Sequence, residues 1–353
     1  MFPKPALARL IAFSLIIFVI GACELPGADA LPAKAPPVKI IFDTDMGNDV
    51  DDVVALAMLH ALQTRGDCQL LGVTITKPDE LAGPFVSAMN TFYGRPKIPI
   101  GFTHAGLQNT PSPYLALADA KDNGKLRYPH KLASSSDAPE ATRLLRSILS
   151  RQPDDSVVLV QVGFFSNFAA LLDTPADGFS PLTGRELVKR KVRLLSVMAG
   201  AFQTIAGNHH YLEYNVINDL PSARKLANEW PTPIVWSGFE IGSAVTYPAE
   251  SIEQDFGYVP HHPMVEAYCL YQPMPYNRPM WDPTATLYAV FSNRGYFDLS
   301  PPGRVEVDPD GFTRFTPASD GRDHFLIINE VQAARVREAI VQLASQPPGN
   351  SGK

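Results

Sequence analysis

The chain has 353 residues, of which 45% are hydrophobic and 19% charged, with a formal net charge of −6. That is enough apolar material for one large α/β domain or two smaller ones. The acidic balance lacks the basic footprint that a nucleic-acid partner requires and so disfavours one.

Residues 1–22 stand apart. Lys4 and Arg9 form a charged start, Ile11 to Ile20 is a short apolar run, and Ile20-Gly21-Ala22-Cys23 ends it with small residues and a cysteine. The run is short for a membrane span and has the form of a secretory signal. Small residues directly before Cys23 resemble the bacterial lipobox. That implies export to the periplasm and a lipid anchor on Cys23, which makes a bacterial membrane a partner. A plain signal peptide cut near Ala22 or Ala30 is the alternative. Residues 23–37 are rich in Ala, Pro and Gly and read as a tether. The folded part is expected over 38–345, with 346–353 as a disordered tail. Cys68 and Cys269 lie among apolar neighbours and are expected to be buried free thiols, although export permits a disulfide.

Apolar runs at 38–43, 70–76, 157–162, 193–199 and 233–236 read as buried strands. Helical patterns fall at 51–63, 84–92, 139–150, 166–172, 220–229 and 283–291. This alternation predicts an α/β fold, an open and mainly parallel sheet flanked by helices. Residues 101–137 are irregular and polar, as in a flap over a site. Residues 250–280 are rich in Pro, Tyr, His and Met. Gly303–Phe315 alternates around a turn signal and predicts a C-terminal β-hairpin, and a last amphipathic helix is expected over 329–344.

The chemistry concentrates where the first strand ends. Asp43, Asp45, Asp49, Asp51 and Asp52 place five carboxylates within ten residues, at a strand terminus and in the first turn of a helix. Ligands bind at that end of an α/β sheet. A helix N-terminus favours one or two negative groups. Five repel one another unless a cation is present. Oxygen donors without a Cys/His cluster point to a hard cation, Ca²⁺ or Mg²⁺.

The segment Asp43-Thr-Asp45-Met-Gly47-Asn-Asp49-Val-Asp51-Asp52 resembles the signature of the inosine-uridine nucleoside hydrolase superfamily, most of whose members read Asp-x-Asp-Pro-Gly-x-Asp-Asp. Met46 stands where Pro is usual, and two extra residues precede Asp51-Asp52. Three later segments match in order: Val162-Gly163-Phe-Phe-Ser166-Asn167-Phe-Ala169, then Met198-Ala-Gly200 with Gly207-Asn208 and Glu213-Tyr-Asn215, then Trp281-Asp282-Pro283.

The resemblance implies Ca²⁺-dependent hydrolysis of the N-glycosidic bond of ribonucleosides or related ribosides. It implies Ca²⁺ ligands Asp45, Asp52, Asp282 and the carbonyl of Ser166, with Asp45 also activating the water. Asp51, Asn208, Glu213 and Asn215 would hold the ribose, and homo-oligomerisation stays open. Trp281 replaces the His that in many members protonates the base; it would stack on the base or shape the pocket wall, leaving His209, His210, His261 and His262 as candidate acids. Two other readings compete. A non-catalytic riboside-binding lipoprotein would use the same calcium site. A haloacid-dehalogenase-like phosphatase would use Asp43 as nucleophile with Mg²⁺, but gives no role to Asp51-Asp52 or to the segment 213–215.

Overall fold

A computed structural model of the chain describes residues 1–2, 35–103, 105, 107 and 109–349. The expected signal segment and most of the tether lie outside the described residues. The unit from Pro36 onward carries every element below.

The central strand is β1 (Val38–Thr44), followed by β2 (Cys68–Ile75) and β3 (Ile100–Phe102) on one side. The chain then crosses to the other side of β1 for β4 (Val157–Gln161), β5 (Val192–Met198) and β6 (Ile234–Ser237). All these pairings are parallel. The reversal of direction falls between β1 and β4, and that switch point is where an open α/β sheet leaves a crevice.

Side chains alternate between faces along each strand. Ile40, Phe42, Val158 and Val160 pack with helices α1 (Asp51–Thr64), α2 (Ala82–Phe92), α10 (Pro263–Tyr271), α11 (Trp281–Phe291) and α12 (Glu330–Ala344). Ile41, Val157, Leu159 and Val197 pack on the other face. There they meet α3 (Ala141–Leu149), α4 (Ser166–Asp173), α5 (Gly184–Lys191) and α7 (Leu220–Glu229).

The predicted C-terminal hairpin forms as β7 (Gly303–Val307) and β8 (Thr313–Pro317). It does not stand alone. A further strand, β9 (Asp323–Ile327), runs parallel to β6 and antiparallel to β7, so the hairpin extends the main sheet. Among its described residues, the region 101–137 holds two 3₁₀ turns and a small hairpin of two-residue strands. Two short helices, α8 (Phe239–Ser243) and α9 (Ala249–Gln254), follow β6, and the Pro- and Tyr-rich stretch 250–280 contains α10, which its residue pattern did not reveal.

Cys68 is buried, but Cys269 is exposed near the end of α10, so only one of the two thiols is in the core. Gln346, at the start of the expected tail, accepts a hydrogen bond from Arg65 Nε at 2.6 Å. Residues 350–353 lie outside the described residues.

Candidate active site

Three backbone segments meet at the switch point. Asp45 follows β1, Val162 and Gly163 follow β4, and Gly200 follows β5 after one intervening residue. They approach closely because Gly163 has no side chain: a Cβ there would lie 2.3 Å from Asp45 N and 2.6 Å from Thr76 Oγ1. Helices α1 and α11 both begin here, with Asp51 and Asp52 in the first turn of one and Asp282 in the first turn of the other.

The result is a cavity of about 340 Å³. Asp45, Asp49, Asp51, Asp52, Asp282 and Glu213 line it, together with Asn48, Thr110, Val162, Asn215, Phe239, Tyr271, Arg278 and Trp281. Single carboxylate oxygens of Asp51, Asp52 and Asp282 lie within 4.8 Å of one another. The N-terminal N–H of α11, on Asp282, donates to Asp51 Oδ2 at 3.0 Å. Thr44 Oγ1 donates to one oxygen of Asp52, while the other, Oδ2, is buried with no protein partner. Such an orphaned oxygen is costly unless something positive sits against it.

Burial, reinforced by the neighbouring carboxylates, holds Asp51, Asp52 and Asp282 well above the usual carboxylate range. Asp45 is pushed up to about 6, chiefly by burial. The donor set is all oxygen, crowded and short of positive charge, which fits a hard divalent cation.

The remaining expected residues divide. Glu213 caps the short helix α6 (Tyr214–Asn218), accepting from Asn215 N at 2.9 Å, Gly200 N at 3.1 Å and Val216 N at 3.2 Å. Asn215 Nδ2 donates to the carbonyls of Val162 at 3.1 Å and Met198 at 3.2 Å. Those two acceptors fix the amide orientation and leave Oδ1 for a ligand. Trp281 lines the wall, but its indole N–H is spent on Phe239 O at 2.9 Å and Ser243 Oγ at 3.2 Å. It offers a flat face only, with Phe239 stacked at 5.3 Å and Arg278 at 5.1 Å.

Ser166 opens α4 and does not line the cavity; Val162 does. Asn208 lies exposed in a bridged turn with Ile205, its Oδ1 accepting from His210 N at 2.8 Å, and is also outside the cavity. None of the four candidate histidines lines it. His209 bonds Thr204 Oγ1, His210 pairs with Asp310 and His261 with Glu266. His262 is buried at the start of α10, not in a surface loop. Asp43 is buried behind the cavity, bonded by Thr74 Oγ1 and by Asn167 Nδ2 at 2.8 Å, which removes it as an exposed nucleophile.

Two residues had no signal in the sequence. Lys77 and Arg278 are the cations that face this acidic cluster among the described residues, and Arg278 is paired with Asp49.

The profile of the family described as inosine-uridine preferring nucleoside hydrolase matches residues 40–338. The chain belongs to that family. Among solved structures, the inosine-uridine preferring nucleoside hydrolase of Bacillus anthracis is 19% identical with a TM-score of 0.65, covering 87% of this chain and 99% of that one. The purine-preferring ribonucleoside hydrolase of Gardnerella vaginalis is likewise 19% identical with a TM-score of 0.65, over 87% of this chain and 99% of that one. The type III effector protein XopQ, solved in complex with adenosine diphosphate ribose, is 16% identical with a TM-score of 0.59, over 88% and 92%. At such identities the likeness establishes the nucleoside hydrolase fold. A search of curated proteins finds no match.

Two outcomes follow from this geometry. Gly163→Ala forces a Cβ into the Asp45 backbone and should cost about 1–3 kcal/mol of stability. Calorimetry should show weakened divalent-cation binding in the folded variant; unchanged binding would mean that the close approach does not position Asp45.

The second outcome concerns pH. Asp45, Glu213 and Asp43 are pushed up to about 6, about 7 and about 8, each chiefly by burial, while unfolded carboxylates titrate near 4. Without a cation the fold therefore binds protons that the unfolded chain releases. The stability these groups contribute is full below about pH 4 and is lost as pH rises through 6 to 8. Melting in EDTA should fall by several degrees from about pH 5 to about pH 8.5, and millimolar Ca²⁺ should restore most of that loss at the higher pH. A melting temperature indifferent to both would contradict this account of the cluster.

Proposed function

We propose that this chain hydrolyses the N-glycosidic bond of ribonucleosides or related ribosides, releasing base and ribose, with Ca²⁺ held at the acidic cavity. The observation that carries the proposal is the convergence of Asp51, Asp52 and Asp282 with an unpartnered buried oxygen on Asp52. Asp45, Asp52 and Asp282 would hold the cation. The backbone ligand would be the carbonyl of Val162, at the end of β4, in place of that of Ser166. A bound divalent cation supplies the Lewis acidity that makes water a nucleophile near neutral pH. Asp45, which lines the cavity beside Asp52, is placed to accept the proton.

Asp51 and Asn215 Oδ1 face the cavity as acceptors for ribose hydroxyls. Glu213 holds the loop that presents Asn215, by its three backbone hydrogen bonds, and adds negative charge beside the developing oxocarbenium ion. The aromatic faces of Trp281 and Phe239 form the wall for the base. None of the four candidate histidines reaches this wall, and the indole N–H is already engaged, so the base leaves with little acid assistance.

The first 23 residues support export and a lipid anchor on Cys23 as part of the same proposal. Palmitate labelling lost in Cys23→Ala would bear that out, and an unlabelled wild type would count against it.

Hydrolysis of p-nitrophenyl riboside and inosine, with and without EDTA, tests the activity. The activated riboside should turn over about 10²-fold or more faster than inosine, because acid assistance is typically worth about 10²–10⁴-fold. EDTA and Asp282→Asn should each abolish turnover. Turnover that survives EDTA would remove the cation from the mechanism. Calcium-dependent binding of inosine with no turnover of either substrate would favour the non-catalytic riboside-binding protein.

A further inference from the structure

Lys77 is a residue the proposed chemistry does not use. It follows β2 and is 1% exposed. Lysine is almost never that buried without partners. Its ammonium donates to Asn48 Oδ1 and to the Thr110 carbonyl at 2.6 Å, both oxygens being neutral. An ammonium has only donors, so Asn48 must turn its carbonyl oxygen toward Lys77 and its NH₂ away. That NH₂ donates to Asp45 Oδ2 at 2.6 Å. Asp45 is thereby oriented, with Oδ1 left for the cavity.

The same ammonium grips the segment that follows residue 108. Thr110 Oγ1 adds a hydrogen bond to Asn48 Oδ1 at 3.2 Å. Four residues on, the buried Tyr114 hydroxyl accepts from Gly47 N at 2.8 Å and donates to the Asp49 carbonyl at 2.6 Å. Gly47, with φ of +115°, leaves the room: a Cβ there would lie 3.0 Å from Lys77 Cδ. The loop 47–49 and the segment 110–114 are therefore joined at two points, and Asn48 and Thr110 both line the cavity.

We infer that Lys77 is a positioning residue that orients Asp45 through Asn48 and fastens the segment 110–114 over the cation site. The inference rests on the cation-site reading above. It carries a consequence of opposite sign from ordinary structural support. A positive charge beside the acidic cluster repels a divalent cation, so Lys77 sharpens the arrangement of the site while weakening its affinity for the ion.

Lys77→Met keeps the bulk and removes the ammonium. In calorimetric titration with Ca²⁺ alone the Kd should fall by tenfold or more, because a unit charge several ångströms from a divalent ion repels it by about that factor even when screened as strongly as in water. Amide exchange in the peptide 109–119 should quicken by tenfold or more, and p-nitrophenyl riboside turnover should drop by at least as much. Asn48→Ala breaks the relay but keeps the charge; it should quicken the same exchange without tightening Ca²⁺.

A Lys77→Met protein with weaker or unchanged Ca²⁺ affinity, and unchanged exchange over 109–119, overturns the inference. If that variant does not fold, unchanged exchange in Asn48→Ala overturns it equally. Neither readout needs substrate, so an inactive wild type would sink the hydrolase reading without deciding this one.

Discussion

The structure is organised by the repulsion among buried carboxylates at the end of β1. Two unit charges about 4 Å apart repel by roughly 4 kcal/mol at the effective dielectric of a protein surface. Asp51, Asp52 and Asp282 alone make three such pairs. Fully ionised and unrelieved, their repulsion would be about as large as the entire stability of a typical domain. The cluster therefore exists either protonated or with a counter-charge. Arg278 is committed to Asp49, the ammonium of Lys77 is held by Asn48 and Thr110 and not by a carboxylate, and the termini of α1 and α11 carry only partial charge. At neutral pH a divalent cation is the counter-charge that fits the all-oxygen donors.

The fold answers this constraint with position. A parallel sheet whose chain reverses across β1 leaves the ends of β1 and β4 as neighbours, and two helices start at the same crevice. Gly163 lets the β4 end press against Asp45, and Gly242 does the same service at the wall, where a Cβ would lie 2.3 Å from the Trp281 backbone. Both faces of the sheet are filled with aliphatic and aromatic side chains, so these rigid elements hold the carboxylates against their own repulsion.

Much of this was legible in the sequence. The alternation of apolar strands with helical patterns gave the parallel α/β core, and the density of Asp at a strand end marked the site. Glu213, Asn215, Trp281 and Asp282, far from that segment in sequence, do share its cavity. What escaped has physical reasons. A ligand offered by a backbone carbonyl has no side-chain signature, so the motif alone does not separate Ser166 from Val162, and of the two it is Val162 that lines the cavity. A lysine after a strand ordinarily reads as solvated surface, which hid Lys77. Arg278 lay in a stretch whose prolines and tyrosines masked α10. Period-two alternation located the hairpin of β7 and β8, but pairing with β6 depends on β9, whose register no local pattern encodes. Asn208 sits in a turn whose direction is set by its bridge to Ile205 and not by its motif spacing.

The central claim is that the carboxylates of α1 and α11 form one cation site. Calorimetric titration of the wild-type chain, Asp52→Asn and Asp282→Asn with Ca²⁺ at neutral pH tests it most directly. The account predicts a single ion bound per chain, and loss of at least a hundredfold in affinity in either variant. Undiminished binding in both variants, or no binding by the wild type, would contradict it.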